Sequence, residues 1–172
     1  KKQRLISQAH FRYNASIEDI NYTYQRNLDG ELFKGLIDCR WIDNASNIII
    51  TGPTGCGKSY IASALGNRAC LLGYKTQYES SSRFFAALKE SKEQGLYLKK
   101  LKSLVAKDLI ILDDFGLSPF DDITRLILLD ILEDRYDRKS HIIISQIPIP
   151  DWFDIIGDST IAKTTEKFHP SG

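Results

Sequence analysis

The fold of this chain is decided by residues 48–59, which read Ile48-Ile49-Ile50-Thr51-Gly52-Pro53-Thr54-Gly55-Cys56-Gly57-Lys58-Ser59. An apolar run predicts a β-strand, a loop with the spacing G-x-x-x-x-G-K-S follows it, and helical periodicity begins at Lys58. The glycines allow successive backbone N–H groups to form an anion-binding nest, and the helix adds its positive N-terminal dipole. A Gly-rich turn that contains Lys and Ser by chance is the weaker interpretation, because the flanking strand and helix are both present. The stretch therefore predicts a phosphate-binding loop.

The side chains that follow the glycines add the chemistry of a nucleotide site. Lys58 is expected to reach the β- and γ-phosphates as a catalytic residue, and the Ser59 hydroxyl is expected to ligate Mg²⁺. The predicted cofactors are therefore ATP and Mg²⁺. The predicted nucleotide-binding residues are Gly52, Pro53, Thr54, Gly55, Cys56, Gly57, Lys58, Ser59 and Tyr60.

The composition is typical of a soluble globular protein, since 42% of the 172 residues are apolar and 26% are charged. The length suits one domain. The net charge of +1 does not indicate nucleic-acid binding, so any such contact must come from a local patch or from assembled subunits. Three cysteines without metal-ligand spacing, no membrane-length apolar stretch and no signal-peptide pattern predict a cytoplasmic protein without a membrane partner. Because the chain begins with Lys1 rather than Met, we expect a fragment.

A second strong signal is the run Leu109-Ile110-Ile111-Leu112-Asp113-Asp114. Its uninterrupted apolar part predicts a strand that is buried on both faces of a parallel sheet, and ligands bind at the carboxyl ends of such strands. In this Walker B pattern Asp113 is expected to hold Mg²⁺, directly or through water. Asp114 is expected to polarise the attacking water as a catalytic residue. A strand that merely ends in an acidic turn is the alternative, which the phosphate loop disfavours.

A further apolar run, Ile142-Ile143-Ile144-Ser145-Gln146, also ends in polar residues. If this strand lies next to the strand at residues 48–51, the Gln146 amide lies beside the phosphate loop. There it can hydrogen-bond the γ-phosphate or the attacking water, so Gln146 is the third predicted catalytic residue. With a strand at residues 74–79, four strands alternate with helices, which predicts an α/β fold with a doubly wound parallel sheet.

The predicted domain organisation has two parts, and the first strand lies in the second of them. Residues 1–27 form an N-terminal arm that either packs on the core or on a neighbour, or stays solvated, and residues 28–172 form the core domain. Within the arm a short helix is expected from Ser16. A helix over residues 29–43, capped by Asp29, has an apolar face that either covers the adenine or packs in the core. That face comprises Leu32, Phe33, Leu36, Ile37 and Trp41.

A later helix, expected within residues 95–107, carries a basic face formed by Lys99, Lys100 and Lys102. One interpretation is contact with DNA phosphates. The other is an ordinary solvated face, which charge runs usually indicate.

The next helix is expected over residues 121–138 and ends in a charged run. Arg135 and Arg138 in this run either act in trans on the nucleotide of a neighbouring subunit or join a surface ion-pair cluster. The predicted core-facing residues of the helix are Ile123, Leu126, Ile127, Ile131 and Leu132.

The order of these motifs resembles that of the AAA+ ATPases. The local sequence resembles one branch of them, the IstB-like transposition helper ATPases, which are relatives of the DnaC-type helicase loaders. The resemblance covers about residues 13–162. The matching stretches are ITGPTG at 50–55, LDDFGLSP at 112–119, EDRY at 133–136, SQIP at 145–148 and IGD at 156–158.

The resemblance implies a P-loop NTPase core with three layers, α/β/α, in an ATP-dependent, DNA-binding oligomer that helps a transposase engage its target. Duplex DNA, the transposase and further copies of the chain are the implied partners. By the same match, Asp113 is the Mg²⁺ residue, Asp114 the catalytic carboxylate and Gln146 the sensor. Because most AAA+ proteins have Glu at the position of Asp114, the shorter side chain implies slow, Mg²⁺-dependent ATP hydrolysis that serves as a timer.

Other functions share parts of this pattern. A helicase loader would bind a hexameric helicase through an N-terminal extension. A small-molecule P-loop kinase would need an Arg-rich lid, which the sequence does not show. A nucleotide-binding module without hydrolysis would need only Lys58, Ser59 and Asp113, all of which are intact.

The chain departs from the resemblance after Ala162. Residues 163–168 read KTTEKF, where the family continues with a helix containing an Asp-Arg-Leu segment and then a fifth strand. We therefore expect a C-terminally truncated AAA+ core, either an excised portion or a chain with an altered tail, that lacks the downstream arginine and the C-terminal edge strand. The strand at residues 48–51 is then expected to form a bare edge.

Overall fold

Four parallel strands form the central sheet in the computed structural model, which describes residues 1–20, 30–53 and 57–157. The strands are β1 (Ile48–Thr51), β2 (Thr76–Ser80), β3 (Leu109–Asp113) and β4 (Ser140–Ser145). They lie side by side in the order β1-β4-β3-β2. The predicted α/β fold with a parallel sheet is confirmed, and within the described residues β1 lies at one edge of the sheet.

Helices cover both faces of this sheet within the described ranges. They are α1 (Lys2–Ala9), α2 (Gly30–Lys34), α3 (Arg40–Asp43), α4 (Lys58–Leu71), α5 (Ser81–Glu93), α6 (Tyr97–Val105), α7 (Asp122–Arg135) and α8 (Trp152–Ile156). Short 3₁₀ turns lie at Ile17–Asp19 and Ile149–Asp151. None of the helices in these ranges is long and apolar enough to cross a membrane.

The sheet separates two apolar cores and so produces the three layers. On one face α4 packs Ile61 and Leu65 against strand residues that include Ile111. On the other face α5, α6 and α7 pack against strand residues that include Ile110 and Leu112. Every residue of β3 and β4 is buried, which explains their uninterrupted apolar runs, because strands covered on both faces have no solvent side.

The predicted helix over residues 29–43 is wrong in its extent. The structure contains two short helices, α2 and α3, with Cys39 between them in a left-handed conformation at a φ of 58°. Phe33 and Trp41 are buried as expected, whereas Leu32 is 46% exposed, since the two short helices do not form the single continuous face that was predicted. The predicted cap at Asp29 lies outside the described residues.

The predicted core face of α7 is correct only in part. Ile127, Ile131 and Leu132 are buried, but Ile123 and Leu126 are 48% and 56% exposed. The buried stripe of this helix also includes Thr124 and Arg135. Apolar residues occur all round α7, so the sequence pattern did not identify which of them face the sheet.

The described part of the N-terminal segment packs on α4 and β2. Helix α1, which the sequence analysis did not predict, buries Leu5 and Ala9 against Cys70 of α4. The ring of Phe11 lies so close to Gly66 of α4 that a Cβ at that glycine would come within 2.4 Å of it. The helix predicted from Ser16 is only the 3₁₀ turn Ile17–Asp19, and the Ser16 hydroxyl donates to Asp19 Oδ2 at 2.8 Å.

Candidate functional site

The predicted phosphate loop lies at the carboxyl end of β1 and leads into α4. The N–H of Gly52 donates to the Ser145 carbonyl of β4 at 3.3 Å, which fixes the start of the loop beside the neighbouring strand. Gly57, directly before α4, has a φ of 83°, a conformation that glycine adopts without a Cβ clash. The predicted site residues Thr54, Gly55 and Cys56 lie outside the described residues.

A cavity of about 240 Å³ opens next to this loop. Its lining brings together residues from α4, from the ends of β3 and β4, and from the N-terminal segment. The lining residues are Arg12, Tyr13, Gly57, Lys58, Ser59, Tyr60, Asp113, Asp114 and Gln146. The predicted catalytic and metal-holding residues therefore meet at one place, as expected for an open parallel sheet that binds ligands at its carboxyl ends.

Lys58 is the first residue of α4 and is only 8% exposed. Its ammonium donates to the carbonyl oxygens of Gly52 at 2.6 Å and of Pro53 at 2.7 Å. The side chain is thus folded back across the loop. The anionic oxygens of a phosphate are stronger acceptors than these carbonyls, so a nucleotide in the loop can compete for the ammonium donors.

Asp113 ends β3 and is 2% exposed. Its Oδ2 accepts hydrogen bonds from the Ser59 hydroxyl at 2.7 Å and from the Tyr78 hydroxyl, and its Oδ1 accepts from the N–H of Asp114 at 2.8 Å. Arg12 Nη1 lies 3.6 Å from the same Oδ2. Burial, followed by the hydrogen bond and charge of Asp113, raises the pKa of Tyr78 well above its usual value, so this hydroxyl stays a donor.

These contacts suit a Mg²⁺ ion that is shared with phosphates. Asp113 and Ser59 place a carboxylate oxygen and a hydroxyl oxygen together, and oxygen is the ligand that Mg²⁺ prefers. The described part of the chain contains no group of three or more His, Cys, Asp or Glu residues that could hold a metal ion. The two protein ligands therefore fit a site that takes its other ligands from phosphate and water, which is usual for Mg²⁺ in nucleotide sites.

Asp114 has a left-handed backbone with a φ of 56°. Few residues other than glycine adopt this conformation, although the short side chains of Asp and Asn tolerate it best. The next residue, Phe115, is buried, and its N–H donates to the Ile144 carbonyl of β4 at 2.9 Å. Packing of Phe115 thus holds the bend in place, and the bend puts Asp114 at the wall of the cavity.

Gln146 follows β4 and lines the cavity because β4 is the direct neighbour of β1. The Ser145 hydroxyl donates to the Phe115 carbonyl at 2.6 Å and accepts from the N–H of Ile147 at 3.0 Å. Both bonds fix the backbone on either side of Gln146. Its predicted location beside the loop is therefore present in the structure, while its role as a sensor stays a prediction.

Arg135 does not have the predicted location. It is 0% exposed, and its guanidinium donates to the carbonyl oxygens of Leu104, Lys107 and Ser140 at 2.9, 2.7 and 3.0 Å. A side chain that is bound inside the protein in this way cannot reach the nucleotide of a neighbour. The trans-acting role and the surface ion-pair role are therefore both wrong for Arg135, whereas Arg138 is exposed and its role stays a prediction.

Lys99, Lys100 and Lys102 are exposed on α6, whose buried residues are Leu101 and Leu104. The described structure does not distinguish a DNA-binding face from a solvated one, so the DNA contact stays a prediction.

Sequence reasoning missed three residues of the site, Arg12, Tyr13 and Tyr78. Tyr78 donates to Asp113, and the ring of Tyr13 packs on that of Tyr60 with 5.8 Å between centroids. Arg12 and Asp113 are 101 residues apart in sequence, so no local spacing could connect them. The N-terminal segment is polar with interspersed aromatic residues, a pattern that left packing and a solvated arm both open and did not indicate a site.

The sequence is similar to those of known proteins. The family described as IstB-like ATP binding protein matches residues 1–165. The protein y4pL of Sinorhizobium fredii, named as an insertion sequence ATP-binding protein, is 44% identical over 154 residues, which are 90% of this chain and 63% of that protein. A protein named as ATP-binding in insertion sequence IS1162 of Pseudomonas fluorescens is 37% identical over 85% of this chain and 64% of its own length. The chain thus spans less than two thirds of these relatives.

Solved structures with the same architecture support the fold. The DnaC helicase loader matches with a TM-score of 0.74 at 18% identity, over 98% of this chain and 97% of that chain. AMPPCP-bound DnaA from Aquifex aeolicus matches with a TM-score of 0.77 at 23% identity, over 90% of this chain and 48% of that chain. At these identities the likeness shows the fold alone, and it confirms the predicted P-loop AAA+ architecture.

Proposed function

The chain belongs to the family of IstB-like ATP binding proteins, and from this premise we propose that it is a Mg²⁺-dependent ATPase that assists transposition. The observation that carries the proposal is the meeting of Lys58 and Ser59, at the start of α4, with Asp113, at the end of β3, along the carboxyl edge of the sheet. An ammonium, a hydroxyl and a carboxylate at the mouth of a phosphate loop are the groups that a Mg²⁺–triphosphate requires.

In the proposed mechanism each side chain of the site has a separate task. Lys58 leaves the loop carbonyls and neutralises the β- and γ-phosphates. Asp113 and Ser59 would hold Mg²⁺, and the bound ion would supply positive charge against the charge that develops on the transferred phosphoryl group. Asp114 orients the attacking water and takes up its proton, and Gln146 binds either that water or the γ-phosphate.

The carboxylate of Asp114 sets the expected rate. It is one methylene shorter than the Glu common in AAA+ proteins, and its direction is set by the bend that Phe115 holds. We propose slow hydrolysis that limits how long the ATP-bound state lasts.

Beyond the nucleotide site, we propose that the protein acts in the cytoplasm, that ATP promotes its self-association on duplex DNA, and that the assembly engages a transposase. The names of the relatives, which refer to insertion sequences, support this setting. The exposed residues Lys99, Lys100 and Lys102 are the candidates for phosphate contacts of the DNA. Arg138 is the remaining candidate for a trans-acting arginine.

A helicase loader with the same fold is the alternative. The shared fold with the DnaC helicase loader does not separate the two functions, because its identity to this chain is only 18%. Identities of 37% and 44% to proteins named for insertion sequences favour the transposition role. Pull-down with a replicative hexameric helicase, compared with pull-down by a transposase, distinguishes the two.

The proposal is tested by two variants, one expected to lose ATP binding and the other expected to keep ATP binding but lose DNA binding. Lys58→Ala should weaken ATP binding by about 100-fold or more, measured by isothermal titration calorimetry, and leave the circular dichroism spectrum unchanged. The triple variant Lys99→Ala, Lys100→Ala, Lys102→Ala should keep ATP binding and weaken the ATP-dependent binding of a labelled DNA duplex. Undiminished ATP affinity in Lys58→Ala refutes the nucleotide site. A DNA affinity and assembly size that do not respond to ATP and Mg²⁺ refute the DNA part.

A further inference from the structure

The guanidinium of Arg12 reaches the candidate nucleotide site from the N-terminal segment, outside both sequence motifs. Its Nη1 lies 3.6 Å from Asp113 Oδ2, and the residue lines the same cavity as Lys58 and Ser59. Resting on the proposed function, we propose that Arg12 is a further phosphate-binding residue of this protein, whose guanidinium moves from Asp113 to the triphosphate when the nucleotide and Mg²⁺ bind.

The crowding at Asp113 is the first step of this inference. Its Oδ2 is approached by the Ser59 hydroxyl, the Tyr78 hydroxyl and the Arg12 guanidinium. The guanidinium is held there by charge alone, since 3.6 Å is beyond hydrogen-bond distance, and a metal ion that binds this oxygen repels it. Arg12 is therefore the group that leaves, because its contact is longer than the 2.7 Å contact of Ser59 and its side chain is 53% exposed.

The anchoring of the neighbouring residues is the second step. On one side of Arg12, the Phe11 ring packs edge-on to Tyr78 with 6.2 Å between centroids and lies against Gly66. On the other side, the Tyr13 ring packs on Tyr60 of α4. The backbone of Arg12 is therefore fixed beside the cavity, and rotation of its side chain alone can move the guanidinium from the carboxylate to a phosphate.

The charge of the cavity is the third step. Among the described residues that line it, Arg12 and Lys58 are cationic, and Asp113 and Asp114 are anionic. Without Arg12, these side chains carry a net negative charge towards a ligand that is itself a polyanion. A guanidinium also presents planar, paired donors that match phosphate oxygens, so its transfer to the triphosphate gains charge-assisted hydrogen bonds.

The experiment measures ATP binding to the whole chain by isothermal titration calorimetry, once with Mg²⁺ and once with EDTA. We expect Arg12→Gln to weaken binding by about tenfold with Mg²⁺, because a charge-assisted phosphate contact is lost, and by less with EDTA, because without the metal the guanidinium stays on Asp113. Arg12→Lys should recover part of the affinity, since it restores the charge without the planar donors. The matched control is Arg4→Gln, an exposed arginine on α1 of the same segment, which should bind ATP as the wild type does.

Two results separate a failure of this inference from a failure of the proposed function. If the wild type binds ATP and loses it in Lys58→Ala, but Arg12→Gln binds as tightly as the wild type or more tightly, Arg12 only neutralises Asp113 and the inference is overturned. If the wild type does not bind ATP, the nucleotide site itself fails. Thermal unfolding of Arg12→Gln should match that of the wild type, because an ion pair with a half-exposed partner contributes little to stability.

Discussion

Two polar clusters lie at opposite ends of the same central strands, and each has a buried charged residue at its centre, Asp113 in one and Arg135 in the other. The carboxylate cluster consists of Asp113 at the end of β3 together with Ser59, Tyr78 and Arg12. The arginine cluster consists of Arg135 of α7 together with Asn47, Ser140 and His141 near the start of β4.

The residues of the arginine cluster hydrogen-bond to one another. Arg135 Nε donates to His141 Nε2 at 2.8 Å, so the proton of the imidazole is on Nδ1, which lies 2.9 Å from Asn47 Oδ1. Burial lowers the pKa of Arg135 to about 10, partly offset by the charge of Asp108, so the guanidinium remains a cation. The carboxylate cluster differs because two hydroxyls and a half-exposed guanidinium approach one oxygen and a cavity lies beside it. Burial of charge therefore does not mark a site here, whereas an adjoining cavity and a half-exposed partner do.

The largest effect is expected from the arginine cluster. Arg135→Met should lower the free energy of unfolding by about 3 to 5 kcal/mol, because several buried carbonyl oxygens and His141 Nε2 lose their donor. Urea denaturation measures the loss, and Arg138→Met, at an exposed arginine nearby, is the control with little change expected. A stability of Arg135→Met within about 1 kcal/mol of the wild type would contradict a structural role for this cluster.

The next effect is expected at Asp114, which adjoins the carboxylate cluster, and leaves stability unchanged. Asp114→Asn should lower the rate of ATP hydrolysis by about 100-fold or more and retain ATP binding, because the proton acceptor is lost while the phosphate contacts stay. Asparagine tolerates the left-handed backbone at this residue, so the fold is preserved. Single-turnover phosphate release measures the rate, and the exposed Asp154→Asn is the control. Unchanged hydrolysis in Asp114→Asn would remove Asp114 from the mechanism.

The smallest effect is a pH dependence that belongs to the arginine cluster. Burial, followed by the charge of Arg135, lowers the pKa of His141 well below its ordinary value of 6.5. The unfolded chain therefore binds a proton that the folded chain does not, so the contribution of His141 to stability is complete above pH 6.5 and declines as the pH falls below it. Between pH 7.5 and 5.5 the loss is expected to be about 1 kcal/mol.

Urea midpoints across this pH range measure the effect, and His141→Gln separates it from the titration of carboxylates. The variant should be less stable than the wild type at pH 7.5 and should lose less stability on acidification. Equal pH slopes for the two proteins would show that His141 does not titrate on unfolding.

The sequence predicted correctly those helices and strands for which the local residue pattern and the packing in the folded protein favour the same structure. Strand β1 and the start of α4 carry a strong local motif, and the apolar run of β3 is matched by the burial of every residue of that strand. The meeting of Asp113 and Gln146 at the loop followed from strand order, because parallel strands bring their carboxyl ends to one edge.

The remaining features depend on contacts between distant segments. Helix α1 buries only Leu5 and Ala9 in a polar segment, which is too weak a stripe to detect from the sequence. Arg135 occurs in a run of charges that is typical of a surface, and only the approach of α6 and β4 supplies its carbonyl partners. Arg12 likewise gains its role from the docking of Phe11 and Tyr13, which no motif encodes.

At Asp114 the requirements of thermal stability and of ATP hydrolysis conflict, because the residue that we propose for hydrolysis has a left-handed backbone. Glycine at this position would relieve the backbone strain, by roughly 1 kcal/mol, but would remove the carboxylate that we propose for hydrolysis. Directed evolution that selects for a higher Tm alone would therefore tend to discard the carboxylate. A selection that also demands ATP turnover would have to keep Asp114 and find its stabilising substitutions elsewhere in the chain.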